Sequence, residues 1–196
     1  SIVEAGYHAD QDSGWFFTRQ DVRADSLPFS LDELRERFGD IAGSLSRHAE
    51  WRISATDHRR RVVVLVSKEG HCLHDLFGRV GSGELDVDLA MVLGNHPDLG
   101  PITEAHGIPF HHVPFGQDNR AAFDEIQRLV DAEEPDAIVL ARFMRVLPPE
   151  LCQAWEGRAL NIHHSFLPSF AGARPYHQAH ERGVKLIGAT CHYVTP

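Results

Sequence analysis

The sequence predicts an α/β protein in which an open, mostly parallel sheet follows a smaller α+β unit. The uninterrupted apolar run at residues 62–66, four Val and one Leu, is typical of a strand that is buried on both faces of a parallel sheet. Strand and helix patterns then alternate along the chain, which indicates βαβ units. The polar run at residues 56–61 is interpreted as a linker between a first unit, residues 1–55, and a second unit, residues 62–196.

The first unit has the pattern of one aromatic-rich strand, one amphipathic helix and one closing strand. The first of these strands is predicted at residues 15–22 from its aromatic side chains. Ser30 and Glu33 form a capping-box pattern at the start of the helix. Apolar residues then recur at helical spacing, at Leu31, Leu34, Phe38, Ile41 and Leu45. Residues 50–54 are predicted to form the closing strand.

In the second unit, further strands are predicted at residues 87–93, 137–141, 159–163 and 190–194, and helices at residues 102–107, 148–155 and 176–182. Another helix is predicted after Asp118, its N-cap, because Phe123, Ile126 and Val130 form one apolar stripe. Ligands of open parallel sheets bind beyond the carboxyl ends of the strands, near the point where the strand order reverses. The end of the strand at residues 159–163 is therefore a candidate binding region.

Asn161 and His163 lie two residues apart at that strand end, and therefore point to the same face of the sheet. An amide can donate a hydrogen bond to a developing oxyanion, and an imidazole can transfer a proton at neutral pH. A structural interpretation stays open, because a buried Asn often caps a turn and a His after a strand is often only hydrogen-bonded. The flanking sequence favours the catalytic interpretation.

The charge and composition exclude several classes of function. The 196 residues carry a formal net charge of −9, which argues against nonspecific nucleic-acid binding. No apolar run approaches the roughly 20 residues of a membrane span, and the start of the chain lacks the basic and apolar segments of a signal peptide. The three widely spaced cysteines fit a reducing cytosol, so a cytoplasmic protein is expected.

Three separated segments resemble the formyltransferase-fold family. They are residues 143–147 (Phe-Met-Arg-Val-Leu), 161–170 (Asn-Ile-His-His-Ser-Phe-Leu-Pro-Ser-Phe) and 188–194 (Gly-Ala-Thr-Cys-His-Tyr-Val). Their order and spacing also fit the family, over about residues 61–196. The family includes glycinamide ribonucleotide transformylases, methionyl-tRNA formyltransferases and formyltetrahydrofolate deformylases. The resemblance implies a Rossmann-like sheet of the formyltransferase type.

Within that family the chain looks most like the formyltetrahydrofolate deformylases. Transformylases usually have a Gly- and Ser-rich phosphate loop after the first strand, whereas residues 67–75 hold one Gly and the acidic Glu69, a poor phosphate site. Transformylases also usually have Pro where this chain has His164. Deformylases carry an ACT-like regulatory domain before the catalytic domain. The resemblance therefore implies that residues 1–55 are part of such a domain, which would begin before Ser1.

The resemblance also implies a role for each matching residue. Asn161 would hydrogen-bond the formyl oxygen and its oxyanion, and His163 would act as general acid and base. His192 matches a His that lies near the reacting centre in the family, although a structural role on its strand is also open. The third member of the family's catalytic set is an Asp, which would fall just beyond Pro196.

The same resemblance implies that 10-formyltetrahydrofolate is the substrate. Its flat pterin ring would lie against Phe143, Met144, Arg145, Val146 and Leu147, bound by backbone groups and apolar side chains. The implied reaction is hydrolysis to tetrahydrofolate and formate, which would supply purine biosynthesis and balance one-carbon pools. The resemblance implies no metal and no further cofactor.

Three alternatives stay open. Formyl transfer to a small amine acceptor would use the same fold. A non-catalytic amino-acid sensor would explain the ACT-like unit, which could bind an amino-acid effector. A zinc site would use the pairs His71/His74 and His177/His180, but no zinc-binding motif accompanies them. A homo-oligomer is expected, because edge strands of ACT-like units commonly pair between subunits.

Overall fold

The computed structural model describes residues 1–45, 48–56, 58–117, 119–163, 165 and 175–196. The chain forms two compact units, Ser1–His58 and Arg59–Pro196. Within the described residues, no helix is both long enough and apolar enough to cross a membrane. The second unit contains all the residues that are predicted to carry chemistry.

The first unit consists of an antiparallel hairpin and one helix. Strand β1 (Ile2–Ala9) pairs with β2 (Phe16–Val22), and helix α1 (Leu31–Leu45) follows after a short 3-10 turn. The hairpin exposes apolar side chains on both strands, including Tyr7 and Phe17. The predictions of β2 and α1 are confirmed, whereas β1 is too mixed in polarity to be recognised from sequence. The ACT-like identity of this unit stays a prediction.

The start of α1 forms as predicted, with one difference. The Ser30 hydroxyl accepts a hydrogen bond from the backbone N–H of Glu33 at 3.2 Å. This bond satisfies one of the backbone N–H groups that have no partner within the first turn of a helix. The Glu33 carboxylate is directed along the helix, where it pairs with Arg37. One half of the capping box therefore forms, and the other half is replaced by an ion pair.

The prediction of a closing strand at residues 50–54 is wrong. No strand pairing occurs there in the part of the chain that the structure describes. Side chains of α1 hold the segment instead. The Phe38 ring packs edge-on against Trp51, with 5.4 Å between the ring centroids, and Arg35 Nε donates to the carbonyl oxygen of Ile53 at 3.2 Å. The apolar residues of this segment therefore pack against a helix and not into a sheet.

The second unit is a six-stranded sheet with helices in its connections. Its strands are β3 (Arg60–Val66), β4 (Val87–Gly94), β5 (Phe110–His112), β6 (Ala137–Ala141), β7 (Ala159–His163) and β8 (Thr190–Tyr193). Its helices are α2 (His71–Gly81), α3 (Gly100–Ala105), α4 (Asn119–Glu133), α5 (Pro149–Ala154) and α6 (Pro175–Glu181). The predicted mostly parallel sheet is confirmed, because among the described strands only β7 and β8 pair antiparallel in it.

The order of the strands places a topological switch point between β3 and β6. In space the order is β5-β4-β3-β6-β7-β8. The chain runs outward from β3 through β4 and β5, and then returns to the opposite side of β3 to form β6 and β7. The loops that leave the carboxyl ends of β3 and β6 therefore diverge, and they open the crevice in which ligands of such sheets bind.

Burial explains why the central elements can be predicted from sequence. Residues 62–66 are buried in β3, as expected for a strand between two layers of helices. Strand β6 coincides with its predicted residues. Phe123, Ile126 and Val130 of α4 form the predicted stripe and pack into one cluster with β3 and β6. The predicted cap, Asp118, lies outside the described residues.

Strand β3 begins inside the segment that the sequence analysis interpreted as a linker. Arg60 and Arg61 are its first two residues. Asp136 holds them in the sheet, because its carboxylate accepts a hydrogen bond from the backbone N–H of Arg61 at 2.8 Å. The Arg61 side chain also donates to the carbonyl oxygen of Glu133 at 2.9 Å. A partner distant in sequence therefore extends the strand into residues that look like a linker.

Gly94, at the end of β4, has no room for a side chain. A Cβ added there would lie 2.5 Å from Cζ of Phe110 and 2.8 Å from the carbonyl oxygen of His96. Gly94→Ala is therefore expected to destabilise the protein by roughly 1–3 kcal/mol, the usual cost of overpacking. The free energy of unfolding, measured in urea, checks this value.

The matched control for that substitution is Gly78→Ala. Gly78 is exposed within α2, and an added Cβ would have nothing within 4 Å. An Ala in a helix interior is expected to stabilise the protein by about 0.5–1 kcal/mol relative to Gly. Equal stabilities of the two variants would contradict the close packing at Gly94.

Candidate active site

Asn161 and His163 lie at the carboxyl end of β7, on the same face of the sheet. Strand β8 runs antiparallel beside them, and it places His192 opposite Asn161 and Thr190 opposite His163. Asn161, His163 and His192 are all half-buried. The structure therefore brings together the two residues predicted from their spacing and the third, His192, whose role was left open.

A hydrogen bond of 3.3 Å joins Nδ2 of Asn161 and Nε2 of His192. Its direction follows from the other ring nitrogen, because Nδ1 of His192 lies 2.8 Å from the carbonyl oxygen of Tyr193, which can only accept. Nδ1 therefore carries the proton, and in the neutral imidazole Nε2 accepts from the Asn161 amide. The second N–H of this amide has no acceptor among the described residues, so it can bind a ligand oxygen.

A second cross-strand contact fixes the chain just after His163. The Thr190 hydroxyl donates to the carbonyl oxygen of Ser165 at 2.6 Å, and Ser165 is buried. Thr190 therefore pairs with His163 in the sheet and also binds the carbonyl oxygen of Ser165. The rest of the motif, His164 and residues 166–170, lies outside the described residues.

The loop at residues 143–147 follows β6 at the switch point. The side chains of Phe143 and Leu147 are buried in the core, whereas Met144 is 58% exposed and Val146 is 93% exposed. The two buried side chains anchor the loop at its ends. The two exposed apolar side chains, together with the backbone between the anchors, are the parts of the loop that a ligand can reach.

Arg145, in the middle of this loop, is held by an aromatic ring. Its guanidinium carbon lies 4.7 Å from the centroid of the Phe115 ring, a cation–π contact. The Phe115 ring in turn packs edge-on against Phe143, with 6.1 Å between the centroids. The guanidinium is therefore fixed over the same aromatic cluster that anchors the loop.

Ser67 and Asn95 are two residues of this region that the sequence motifs did not identify as functional. Both are buried polar side chains directly after a strand, Ser67 after β3 and Asn95 after β4. Ser67 accepts a hydrogen bond from the backbone N–H of Met144 at 2.9 Å. A polar residue that follows an apolar parallel strand was the available signal, since such positions face the ligand crevice.

Arg142 precedes the loop with an unusual backbone conformation. Its φ is +62°, in the left-handed region that residues other than Gly seldom adopt. Such a conformation costs of order 1–3 kcal/mol and occurs preferentially at functional sites. The direction in which the chain leaves β6 is therefore set by a strained residue.

Two thiols of the second unit are unsuited to nucleophilic catalysis. Burial raises the pKa of the Cys72 thiol, and the nearby Arg142 charge opposes this only in part. Burial also raises the pKa of the Cys152 thiol. A thiol that stays protonated at neutral pH is a poor nucleophile.

The histidine pairs considered for zinc do not gain further ligands in the described part of the chain. His177 and His180 are exposed on α6, where they line a shallow, open cavity with Tyr176 and Glu181. Among the described residues, no three His, Cys, Asp or Glu side chains come together in a way that could hold a metal ion. Each pair supplies two ligands, whereas zinc sites in proteins use three or four.

Comparisons with known proteins relate both units to folate enzymes. Residues 60–196 match the formyl transferase family. The chain is 43% identical over 195 residues to the formyltetrahydrofolate deformylase of Corynebacterium sp. (strain P-1), covering 99% of this chain and 68% of that protein. It is 40% identical over 202 residues to the deformylase of Bacillus subtilis (strain 168), covering 100% of this chain and 65% of that protein. The chain thus spans about two thirds of the length of these curated relatives.

Solved structures show the same relationship. The formyltetrahydrofolate deformylase of Pseudomonas syringae pv. tomato superposes with a TM-score of 0.93 at 54% identity, covering 100% of this chain and 65% of that one. The phosphoribosylglycinamide formyltransferase of Coxiella burnetii superposes with a TM-score of 0.66 at 30% identity, covering 70% of this chain and 67% of that one. The deformylase structure therefore accounts for the whole of this chain, and the transferase structure for part of it.

Proposed function

This chain belongs to the formyltetrahydrofolate deformylases of the formyl transferase family, and on that premise we propose that it hydrolyses 10-formyltetrahydrofolate to tetrahydrofolate and formate. The observation that carries the proposal is the Asn161 amide, which His192 orients at 3.3 Å on the same strand end as His163. An oriented hydrogen-bond donor beside a group that can transfer a proton is the arrangement that hydrolysis of an acyl group needs.

In the proposed reaction a water oxygen bonds to the formyl carbon, and the carbonyl electron pair moves onto the formyl oxygen. His163 accepts the proton that the water loses. The tetrahedral intermediate then collapses, the bond between the formyl carbon and N10 breaks, and its electron pair stays on N10. His163 returns its proton to that nitrogen, and the product formic acid ionises to formate in solvent.

Asn161 stabilises the oxyanion of the tetrahedral intermediate. Because His192 orients the amide before the substrate binds, the donor does not have to reorganise as negative charge develops. The 2.6 Å bond from Thr190 to the Ser165 carbonyl supports a fixed position for His163 as well. His192 acts in this proposal as a positioning residue for Asn161.

The loop at residues 143–147 binds the pterin ring in this proposal. Met144 and Val146 present apolar surface to solvent, and the backbone between the buried anchors Phe143 and Leu147 is available for the polar edge of the ring. Phe143 and Leu147 contribute through the backbone, because their side chains face the core. A flat ring with a polar edge is suited to an apolar surface that has main-chain donors and acceptors.

The proposal also includes the metabolic role of the reaction, its cellular compartment and the assembly of the protein. Formate release would supply purine biosynthesis and balance one-carbon pools in the cytoplasm, and the free thiols Cys72, Cys152 and Cys191 support a reducing compartment. A homo-oligomer is proposed, supported by the apolar side chains that β1 and β2 expose. The first unit is proposed to be part of an ACT-like domain, which could bind an amino-acid effector.

Hydrolysis and formyl transfer differ in their need for an acceptor. The protein is expected to release formate and tetrahydrofolate in equal amounts from 10-formyltetrahydrofolate alone, because residues 67–75 offer a poor site for the phosphate of glycinamide ribonucleotide. Adding that acceptor is expected to leave the rate of formate release unchanged. Chromatography of the products checks both points. A formylated acceptor that forms as fast as formate would favour transfer.

A further inference from the structure

We propose that Ser67 and Asn95 are positioning residues that together hold the loop at residues 143–147 in the shape that binds the folate. The inference rests on the proposed function, which it deepens. The two side chains follow β3 and β4, and the loop follows β6, so all three segments meet at the carboxyl edge of the sheet beside the switch point.

Three neighbours fix the Asn95 amide. In the orientation that the chemistry of these neighbours assigns to it, Nδ2 donates to Oγ of Ser67 at 2.7 Å and to the carbonyl oxygen of Val66 at 3.1 Å, and Oδ1 accepts from Nε of Arg145 at 3.2 Å. A carbonyl oxygen can only accept and a guanidinium can only donate, so these two partners leave the amide one orientation. Asn95 therefore ties Arg145 of the loop to the end of β3.

Ser67 connects the two sides of the switch point. Its Oγ accepts from the backbone N–H of Met144 at 2.9 Å, in addition to the bond from Asn95. Strands β3 and β6 pair as far as Val66 and Ala141, so this bond continues their contact beyond the last paired residues. It holds the loop backbone two residues after the strained Arg142.

The side chains of Ser67 and Asn95 are polar although both are buried. Ser67 is 4% exposed and Asn95 is 6% exposed. Polar groups in such places lower stability unless they are hydrogen-bonded, and an apolar pair could fill the same space without that requirement. The side-chain bonds of Ser67 and Asn95 connect the two residues to each other, to the end of β3 and to the loop. The pair therefore specifies the geometry of the loop.

That geometry determines what the loop offers to a ligand. With Met144 N–H and the Arg145 side chain fixed, the side chains of Met144 and Val146 are held outward. Without the two bonds the loop would have to be ordered on binding, which weakens affinity. Asn161 and His163 lie on another strand and would keep their positions, so the loss should appear in binding and not in the chemical step.

The test uses the full-length protein and two readouts, the dissociation constant of tetrahydrofolate by calorimetry and the kcat and KM for 10-formyltetrahydrofolate. Ser67→Ala and Asn95→Ala are each expected to weaken binding and raise KM by about tenfold, with kcat within about threefold of the wild type. Because both residues act on one loop, the double variant should lose little more affinity than the weaker-binding single variant.

Thr103→Val is the matched control. The Thr103 hydroxyl is also fully buried, and it donates at 2.7 Å to the carbonyl oxygen of Leu99, the residue immediately before α3. Its replacement should lower the melting temperature without changing the affinity for tetrahydrofolate. If Asn95→Ala does not fold, Ser67→Ala still tests the positioning role, because this substitution removes only one oxygen atom and should leave the fold intact.

The possible outcomes separate this inference from the proposed function. Affinities of both variants within twofold of the wild type, additive losses in the double variant, or an equal loss in Thr103→Val would each overturn the positioning role. A wild-type protein that binds no tetrahydrofolate would overturn the proposed function, and the inference with it. A tenfold, non-additive loss confined to Ser67 and Asn95 supports both.

Discussion

Replacing His163 by Ala is expected to lower kcat for formate release by on the order of 10²–10⁴-fold, the range of effects for a general acid and base. The loss should be large because, in the proposed mechanism, the same imidazole serves both the attack of water and the departure of N10. The KM for 10-formyltetrahydrofolate should change little, since the loop at residues 143–147 is the proposed binding site for the folate. Steady-state formate release at saturating substrate measures the effect.

His111→Ala is the control for the loss of an imidazole. His111 is exposed on β5, at the opposite edge of the sheet from β8. Its replacement should leave kcat unchanged, and both variants should keep the wild-type melting temperature within a few degrees. A His163→Ala variant that retains more than a tenth of wild-type kcat would remove His163 from the mechanism.

Replacing Asn161 by Ala is expected to lower kcat by on the order of 10²–10³-fold, as for the loss of one oxyanion donor elsewhere. Asn161→Asp should be at least as impaired, because a carboxylate of the same size exchanges the donor for negative charge beside the oxyanion. Single-turnover measurements of tetrahydrofolate formation separate the chemical step from product release. Wild-type rates in Asn161→Asp would exclude the amide as a donor.

The hydrogen bond between Asn161 and His192 offers an internal check on that prediction. His192→Ala should lower kcat through the orientation of Asn161, so its effect should largely vanish when Asn161 is already Ala. A full His192 effect in the Asn161→Ala background would show that His192 acts on the substrate directly. This double-variant comparison distinguishes the two roles that the sequence left open for His192.

Prediction from sequence succeeded where apolar side chains face the core. Strand β6 and the stripe of Phe123, Ile126 and Val130 were predicted because their burial imposes an apolar pattern. It failed where partners distant in sequence decide the structure. Residues 50–54 pack against α1 without joining a sheet, and Arg61 joins β3 because Asp136 accepts its backbone N–H.

The candidate site could likewise be predicted from sequence only in part. The spacing of Asn161 and His163 was enough to place them on one face of a strand. The contact of Asn161 with His192 depends on the antiparallel register of β8, which lies 31 residues further along the chain. The sequence shows that Ser67 and Asn95 are polar residues that each follow an apolar strand, but their contacts with each other and with the loop depend on three strands meeting at one edge.

In the proposed mechanism, Asn161 and His163 direct the attack of water on the formyl group. The measurement that tests it most directly is formate release from 10-formyltetrahydrofolate in water labelled with ¹⁸O, with the wild-type protein and the Asn161→Ala/His163→Ala double variant. We expect the wild type to release formate that carries a solvent oxygen, together with an equal amount of tetrahydrofolate, and the double variant to release formate no faster than the buffer. Formate without solvent oxygen, or release by the double variant at the wild-type rate, would contradict this mechanism.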